Sequence, residues 1–161
     1  MLSMNAFMGA LELGCIYALV ALALFLSFRI LNIADMTTDG AFTLGCAVSA
    51  VCAVAGHPVL GLLLAMIAGS AAGGITAALQ TRMGVPSILA GIITNTGLYT
   101  VNLAVMGFSS NVNMLKTETV FTKFRDLVGK GAPYKLLLAF VVTAAAGVLL
   151  SLFLRTRLGL S

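Results

Sequence analysis

Long apolar segments separated by short polar ones make up most of this chain. Apolar runs with few or no charged residues predict helices at about 6–28, 33–55, 59–79, 85–106 and 136–154. A helix rises about 1.5 Å per residue, so about 20 residues cross the hydrocarbon core of a bilayer. The pattern therefore predicts an all-α fold, a polytopic transmembrane helical bundle of about five membrane-spanning helices.

The second run departs from this pattern because its first part carries charge. Only residues 40–55 are uncharged, which is short for a full crossing, and Asp35 and Asp39 precede them. Two arrangements fit. Either both carboxylates lie at the membrane interface, or the helix is broken and its polar half lines a water-filled cavity.

Residues 107–133 form the main hydrophilic stretch of the sequence. Within it, apolar side chains repeat at helical spacing at about 119–129, and charged side chains take the opposite side. This pattern predicts a short interfacial helix that lies on the membrane surface.

The composition is typical of an integral membrane protein. Hydrophobic residues make up 60% and charged residues 9% of the chain, whereas a soluble domain has about 25% charged residues. The net charge of +4 arises from basic residues placed mostly at the ends of apolar runs. This placement indicates membrane topology and no nucleic-acid partner. Cys15, Cys46 and Cys52 lie inside apolar runs without a disulfide or metal-binding spacing, so no metal or cofactor is expected.

Small residues recur at four-residue steps in two of the predicted helices. In the third run they are Ala65, Gly69, Gly73 and Ala77, and in the first run a shorter ridge is centred on Gly14. Such ridges let a second helix approach closely. We expect these positions to pack against helices, either within the subunit or against a second copy.

Polar residues form one stripe on the fourth predicted helix. Ser87, Gly91, Thr94, Asn95 and Asn102 fall within an arc of roughly 100°. The stripe either lines a polar path or makes interhelical hydrogen bonds of about 0.6 kcal/mol each.

The substrate-pathway candidates combine this stripe with the acidic residues of the second run. They are Thr94, Asn95 and Asn102, with Asp35 and Asp39 added if the second helix is broken. Amides and hydroxyls suit this task because they bind the charged ends of an amino acid without a permanent buried charge.

Charge placement gives an expected orientation. If the runs alternate in direction, Arg29, Arg82, Arg155 and Arg157 lie on one side, and the basic residues of the hydrophilic stretch lie on the other. Counting alone does not choose between the sides, but arginines that directly follow a span are typical cytoplasmic anchors. We therefore expect the N-terminus outside and the C-terminus in the cytoplasm.

Residues 29–45, which we call the hinge segment, read RILNIADMTTDGAFTLG. This segment resembles the RxLNxADxTxDGxFxLG run of bacterial ABC importer permeases of the branched-chain amino acid and ribose class. Residues 9–14, 86–99 and 155–159 are similar to the same family, and the last of these resembles its TRLG run. The likeness is nearest to the branch associated with aromatic amino acids (tryptophan and tyrosine).

The resemblance implies a permease subunit of an ATP-driven importer for a small solute of the amino acid class. Such subunits move solute by alternating access at a subunit interface and have no catalytic residues. The implied partners are a cytoplasmic ATP-binding subunit, an extracytoplasmic solute-binding protein, a second permease copy in a homodimer, and the lipid of the bacterial inner membrane. Arg155, Arg157 and Gly159 are the residues implied in coupling to the ATPase. Family members are close to twice this length, so residues 1–161 resemble the N-terminal half of a permease domain.

Two other functions remain open on the sequence. An ion-coupled secondary carrier or small channel would use Glu12, Asp35 and Asp39 as proton or cation sites. Glu12 is the only charge of the first run and lies near one end, which favours a headgroup-level carboxylate. A structural membrane subunit would use the small-residue ridges for assembly. An enzyme is disfavoured because the sequence has no paired histidine and carboxylate near a nucleophile and no phosphate-binding glycine loop.

Overall fold

The computed structural model describes residues 4–31, 35–109, 111–114, 117–122 and 134–156. Within these ranges the long helices are α1 (Met4–Leu26), α2 (Thr38–Val54), α3 (Pro58–Arg82), α4 (Ser87–Val105) and α5 (Tyr134–Leu154). Helix α1 passes directly into a π-helical turn, Ser27–Leu31. The described residues contain no strand, so the predicted all-α fold is confirmed.

The lengths and apolar composition of the helices fit a membrane bundle. The helices long and apolar enough to cross a bilayer are Ala6–Arg29, Pro58–Arg82, Ser87–Val105 and Lys135–Leu154. The chain is therefore a multi-pass membrane protein. Helix α2 has 17 residues, or about 26 Å, which is less than the hydrocarbon core of about 30 Å. That α2 crosses the membrane stays a prediction.

One predicted boundary differs from the described structure, and one predicted helix lies mostly outside the described residues. The second run was expected to be helical from about residue 33, but α2 begins at Thr38. The predicted interfacial helix at about 119–129 lies mostly outside the described residues, and residues 120–122 are helical.

The chain divides into two compact units. The terminal unit comprises residues 1–31 and 121–161. In it, the Thr143 hydroxyl lies 2.9 Å from the Cys15 carbonyl of α1 and 2.8 Å from the Ala139 carbonyl of α5. This hydroxyl therefore links the two helices. Glu12 and Ile16 of α1 share a cavity with Lys135 and Ala139 of α5. Glu12 precedes Cys15 on α1, and Lys135 precedes Thr143 on α5, so the two contacts follow the same order along both helices. Helices α1 and α5 therefore run parallel.

The central unit comprises residues 32–120, and in it α2 packs antiparallel to α3 through small residues. A Cβ added at Gly61 would lie 2.8 Å from Cys52 Cβ and 3.1 Å from the Ser49 carbonyl oxygen, and one at Gly45 would lie 3.9 Å from Ala65 Cβ. The contact between these helices is therefore close, and a larger residue at position 61 would separate them.

A tight turn joins α2 to α3. The His57 amide donates to the Cys52 carbonyl and the Gly56 amide to the Ala53 carbonyl, each at 3.0 Å. These two bonds form a Schellman motif, which needs a left-handed residue that glycine supplies, and Gly56 has φ +85°. Pro58 then begins α3, as expected of proline at a first helical position.

Helix α4 runs parallel to α2 and also contacts α3. Gly91 of α4 faces Met36, and one turn later Asn95 faces Gly40. One cluster of buried hydrophobic residues in this unit joins Leu44 of α2, Ala72 of α3 and Leu98 of α4. Helix α2 thus has α3 and α4 as neighbours, and its first turn lies against both.

Candidate functional site

The site is built around the start of α2, within the hinge segment. The Asp35 carboxylate accepts a hydrogen bond of 2.9 Å from the Thr37 backbone amide. The Thr38 hydroxyl donates to the Asp35 carbonyl oxygen at 3.2 Å. A carboxylate that accepts from the amide two residues later forms an Asx turn, which favours the entry to a helix. Asp35 therefore holds the turn that leads into α2.

Thr37 connects this turn to α3. Its side chain is 1% exposed, and its hydroxyl lies 2.9 Å from the Thr76 hydroxyl. The Thr76 hydroxyl is also 3.3 Å from the Ala72 carbonyl oxygen. A hydroxyl carries one proton, so when Thr76 donates to Ala72, Thr37 donates to Thr76. The hydrogen bond between the two hydroxyls thus gives both polar groups a partner inside an otherwise apolar contact.

Helix α4 covers the hinge segment from the other side. A Cβ on Gly91 would lie 2.9 Å from Met36 Cβ and 3.1 Å from the Met36 backbone nitrogen. A Cβ on Gly40 would collide with the side-chain oxygen of Asn95. Glycine at both positions therefore allows the Asn95 amide and the backbone of α4 to lie directly on the start of α2.

Two buried oxygens of α4 have no hydrogen-bond partner within the described part of the chain: Thr94 Oγ1 and Asn102 Oδ1. Both residues are 6% exposed. A buried polar group without a partner costs about 1–3 kcal/mol, and such groups are rare in folded proteins. These oxygens are therefore available to a group outside the described residues.

The structure brings Asn95 to the start of α2, next to the turn that Asp35 holds, whereas Asn102 lies about 10 Å further along α4. Asn95 and Asp35 both belong to the region where α4 covers the start of α2, and Thr94 and Asn102 lie buried on the same helix. Asp39, by contrast, is exposed, and the interaction described at this residue is between its backbone carbonyl and the Thr43 hydroxyl, at 2.9 Å. A pathway role for any of these residues stays a prediction.

Sequence reasoning missed the contribution of Thr37 and Thr76. Thr37 lies inside the hinge segment, but its neighbours Thr38 and Thr43 carry the same hydroxyl, and nothing in the pattern distinguishes the buried one. Thr76 lies in an uncharged run whose small residues dominate the pattern. One signal was available in the sequence: Thr76 is a polar residue on an apolar helix, and the hydroxyl of such a residue needs a hydrogen-bond partner in the protein.

The small-residue ridge of α3 makes only part of the packed face. Ala65 faces Gly45, whereas a Cβ at Gly69 or Gly73 would meet nothing within 4 Å. Ala77 is exposed. Packing of these last three residues within the chain is therefore not observed among the described residues, and packing against a second copy stays a prediction.

The other predicted positions lie in the terminal unit. Gly14 is exposed, and a Cβ there would also meet nothing within 4 Å. Arg155 is exposed just beyond α5, and its amide bonds the Ser151 carbonyl at 3.2 Å. Arg157 and Gly159 lie outside the described residues.

Comparison with known proteins identifies relatives over nearly the whole chain. The family described as "Branched-chain amino acid transport system / permease component" matches residues 6–161. A protein named "Tyrosine transport system permease protein" from Clostridioides difficile (strain R20291) is 32% identical over 157 residues, which are 97% of this chain and 50% of that protein. An uncharacterized protein from Rickettsia prowazekii (strain Madrid E) is 34% identical over 159 residues, 98% of this chain and 53% of that protein. The chain thus spans about half the length of these curated relatives. No solved structure matches it significantly.

Proposed function

Because the chain belongs to the branched-chain amino acid transport system permease family, we propose that it acts in the membrane-spanning subunit of an ATP-driven importer. The solute is an amino acid, and it moves by alternating access at a subunit interface. In this proposal the chain performs no chemistry, because ATP is hydrolysed by a separate partner subunit.

One observation carries the proposal beyond family membership: the buried oxygens of Thr94 and Asn102 have no hydrogen-bond partner among the described residues. In an apolar bundle, a polar atom without a partner is costly unless water or a solute reaches it. Asn95 and the turn at Asp35 add further hydrogen-bonding groups at the start of α2. We infer that the polar face of α4 borders the solute pathway.

The proposed assembly has partners on both sides of the bacterial inner membrane. A solute-binding protein delivers the amino acid to the extracytoplasmic side, where the N-terminus lies. A cytoplasmic ATP-binding subunit contacts the region of Arg155, Arg157 and Gly159. A second permease copy packs on the outward small residues of α3, namely Gly69, Gly73 and Ala77. Membrane lipid surrounds the remaining apolar surface.

L-tyrosine is the first solute to examine, because a relative with 32% identity is named for tyrosine transport. The decisive experiment is uptake into proteoliposomes that contain the protein with its ATP-binding and solute-binding partners. We expect radiolabelled L-tyrosine to accumulate only when ATP is present on the side of the ATP-binding subunit. A variant of the ATP-binding subunit that cannot hydrolyse ATP is the control and should abolish accumulation.

The carrier alternative gives a different result in the same vesicles. Accumulation driven by a proton gradient without ATP, and reduced by Glu12→Gln or Asp35→Asn, would replace the importer proposal with an ion-coupled carrier. Absence of amino acid accumulation under every condition would instead favour a structural subunit.

A further inference from the structure

The terminal unit contains a cavity that the proposed pathway in the central unit does not use. Glu12 and Ile16 of α1, Lys135 and Ala139 of α5, and Phe121 line it, and its volume is about 180 Å³. That volume corresponds to roughly six water molecules of the liquid. The cavity is therefore large enough for a small organic solute.

Among the described residues, the lining of the cavity carries one charge of each sign. Glu12 is half-buried and Lys135 is exposed. No ion pair or hydrogen bond involves either side chain within the described part of the chain. Opposite charges that line one cavity without pairing leave both free to bind a ligand that brings its own complementary charges.

The other described lining residues are apolar. Ile16 and Ala139 stand one turn beyond the charged residues on their helices, and Phe121 contributes an aromatic ring. A ligand that fits therefore has two charged groups close together and one apolar or aromatic part. Ligand sites commonly combine an apolar wall with a few polar groups that fix orientation.

We propose that this cavity binds one zwitterionic amino acid with an apolar or aromatic side chain. The Glu12 carboxylate accepts from the ammonium group, the Lys135 ammonium group donates to the carboxylate, and Phe121 and Ile16 contact the side chain. The inference rests on the proposed function for the identity of the solute class. Lys135 stands in the first turn of α5, and Glu12 stands in the N-terminal half of α1. In the proposed orientation the cavity therefore lies in the extracytoplasmic half of the membrane. It would then serve as an entry site that receives the solute.

The test measures binding of three ligands to the protein in nanodiscs of phosphatidylcholine. L-tyrosine carries both charges, tyramine lacks the carboxylate, and 3-(4-hydroxyphenyl)propionate lacks the ammonium group. A charge-assisted hydrogen bond corresponds to about a tenfold or greater change in affinity. We expect L-tyrosine to bind at least about tenfold more tightly than either analogue.

Variants of the two charged residues should each remove one part of this selectivity. Glu12→Gln should weaken L-tyrosine and tyramine about tenfold and leave the propionate analogue unchanged. Lys135→Gln should weaken L-tyrosine and the propionate analogue and leave tyramine unchanged. Glu118→Gln and Arg82→Gln remove the same charges from exposed positions in the central unit, and both should bind all three ligands as the unchanged protein does.

Equal affinity of the unchanged protein for all three ligands would overturn the inference, and so would equal weakening of all three ligands by both variants. Competition by added phosphatidylethanolamine would overturn it as well, because the cavity would then be a lipid-headgroup site. If both variants take up tyrosine in an ATP-dependent way with an unchanged KM, the entry site is rejected. The importer proposal would still stand. If the unchanged protein accumulates no amino acid, the importer proposal fails instead.

Discussion

At the scale of single residues, Thr94 is the most informative position in the polar stripe. Its hydroxyl is buried without a described partner, whereas Thr96 on the same helix is exposed and bonds the Ile92 carbonyl at 2.8 Å. The two threonines therefore offer the same substitution in two environments.

We predict that Thr94→Val leaves folding stability unchanged or raises it by up to about 1 kcal/mol, because an unsatisfied buried hydroxyl is removed. Uptake should fall severalfold, because the pathway loses an oxygen. Thermal unfolding in detergent and ATP-dependent uptake measure the two effects. Thr96→Val should change neither. Clear destabilisation of Thr94→Val with normal uptake would instead assign its hydroxyl to a structural hydrogen bond.

The small-residue ridge of α3 illustrates which details the sequence could not supply. Steps of four residues rotate by about 40° per step around a helix that has 3.6 residues per turn. Over the three steps from Ala65 to Ala77 the ridge therefore turns about 120° away from where it began. This explains why Ala65 contacts α2 while Gly73 and Ala77 are exposed. The packed face instead continues through Ala72 and Thr76.

At the scale of helices, the existence of each apolar helix was predictable, but the start of α2 was not. Two carboxylates ahead of an apolar run fit an interfacial cap and a broken helix equally well. The structure begins α2 at Thr38 because the Asp35 carboxylate takes the Thr37 amide into a turn. That bond depends on the local backbone conformation, which hydropathy does not encode.

The close contact of α4 with the hinge segment can be tested with a matched pair of glycines. Gly91→Ala places a Cβ 2.9 Å from Met36 Cβ, and overpacking of this kind costs about 1–3 kcal/mol. Gly97 lies on the same helix with nothing within 4 Å of its Cβ position. Gly97→Ala should therefore stabilise the helix by up to about 1 kcal/mol.

The measurement for this pair is the unfolding temperature of each variant in the same detergent. Gly91→Ala should unfold at a lower temperature than the unchanged protein and Gly97→Ala at an equal or higher one. If the two variants behave alike, α4 does not lie against Met36 as described.

At the scale of the whole molecule, the family could be predicted from the hinge segment together with residues 155–159, and the membrane-bundle class from composition. The arrangement of helices within each unit required the structure. Helix α2 runs antiparallel to α3 and parallel to α4, and α1 runs parallel to α5. These directions are those expected of spans that alternate across a membrane, so they support a crossing role for α2 despite its 17 residues.

The alternating directions of the helices predict on which side of the membrane each turn lies, which counting charges could not decide. With the N-terminus outside, the α2–α3 turn at His57 lies outside and the α3–α4 turn at Met83 lies in the cytoplasm. Both residues are exposed. In a background where Cys15, Cys46 and Cys52 are replaced by alanine, His57→Cys should react with a membrane-impermeant maleimide applied to intact spheroplasts. Met83→Cys should react only after the membrane is permeabilised. The reverse pattern would place the arginines that end the spans outside, so the proposed ATPase contact at Arg155 would fail.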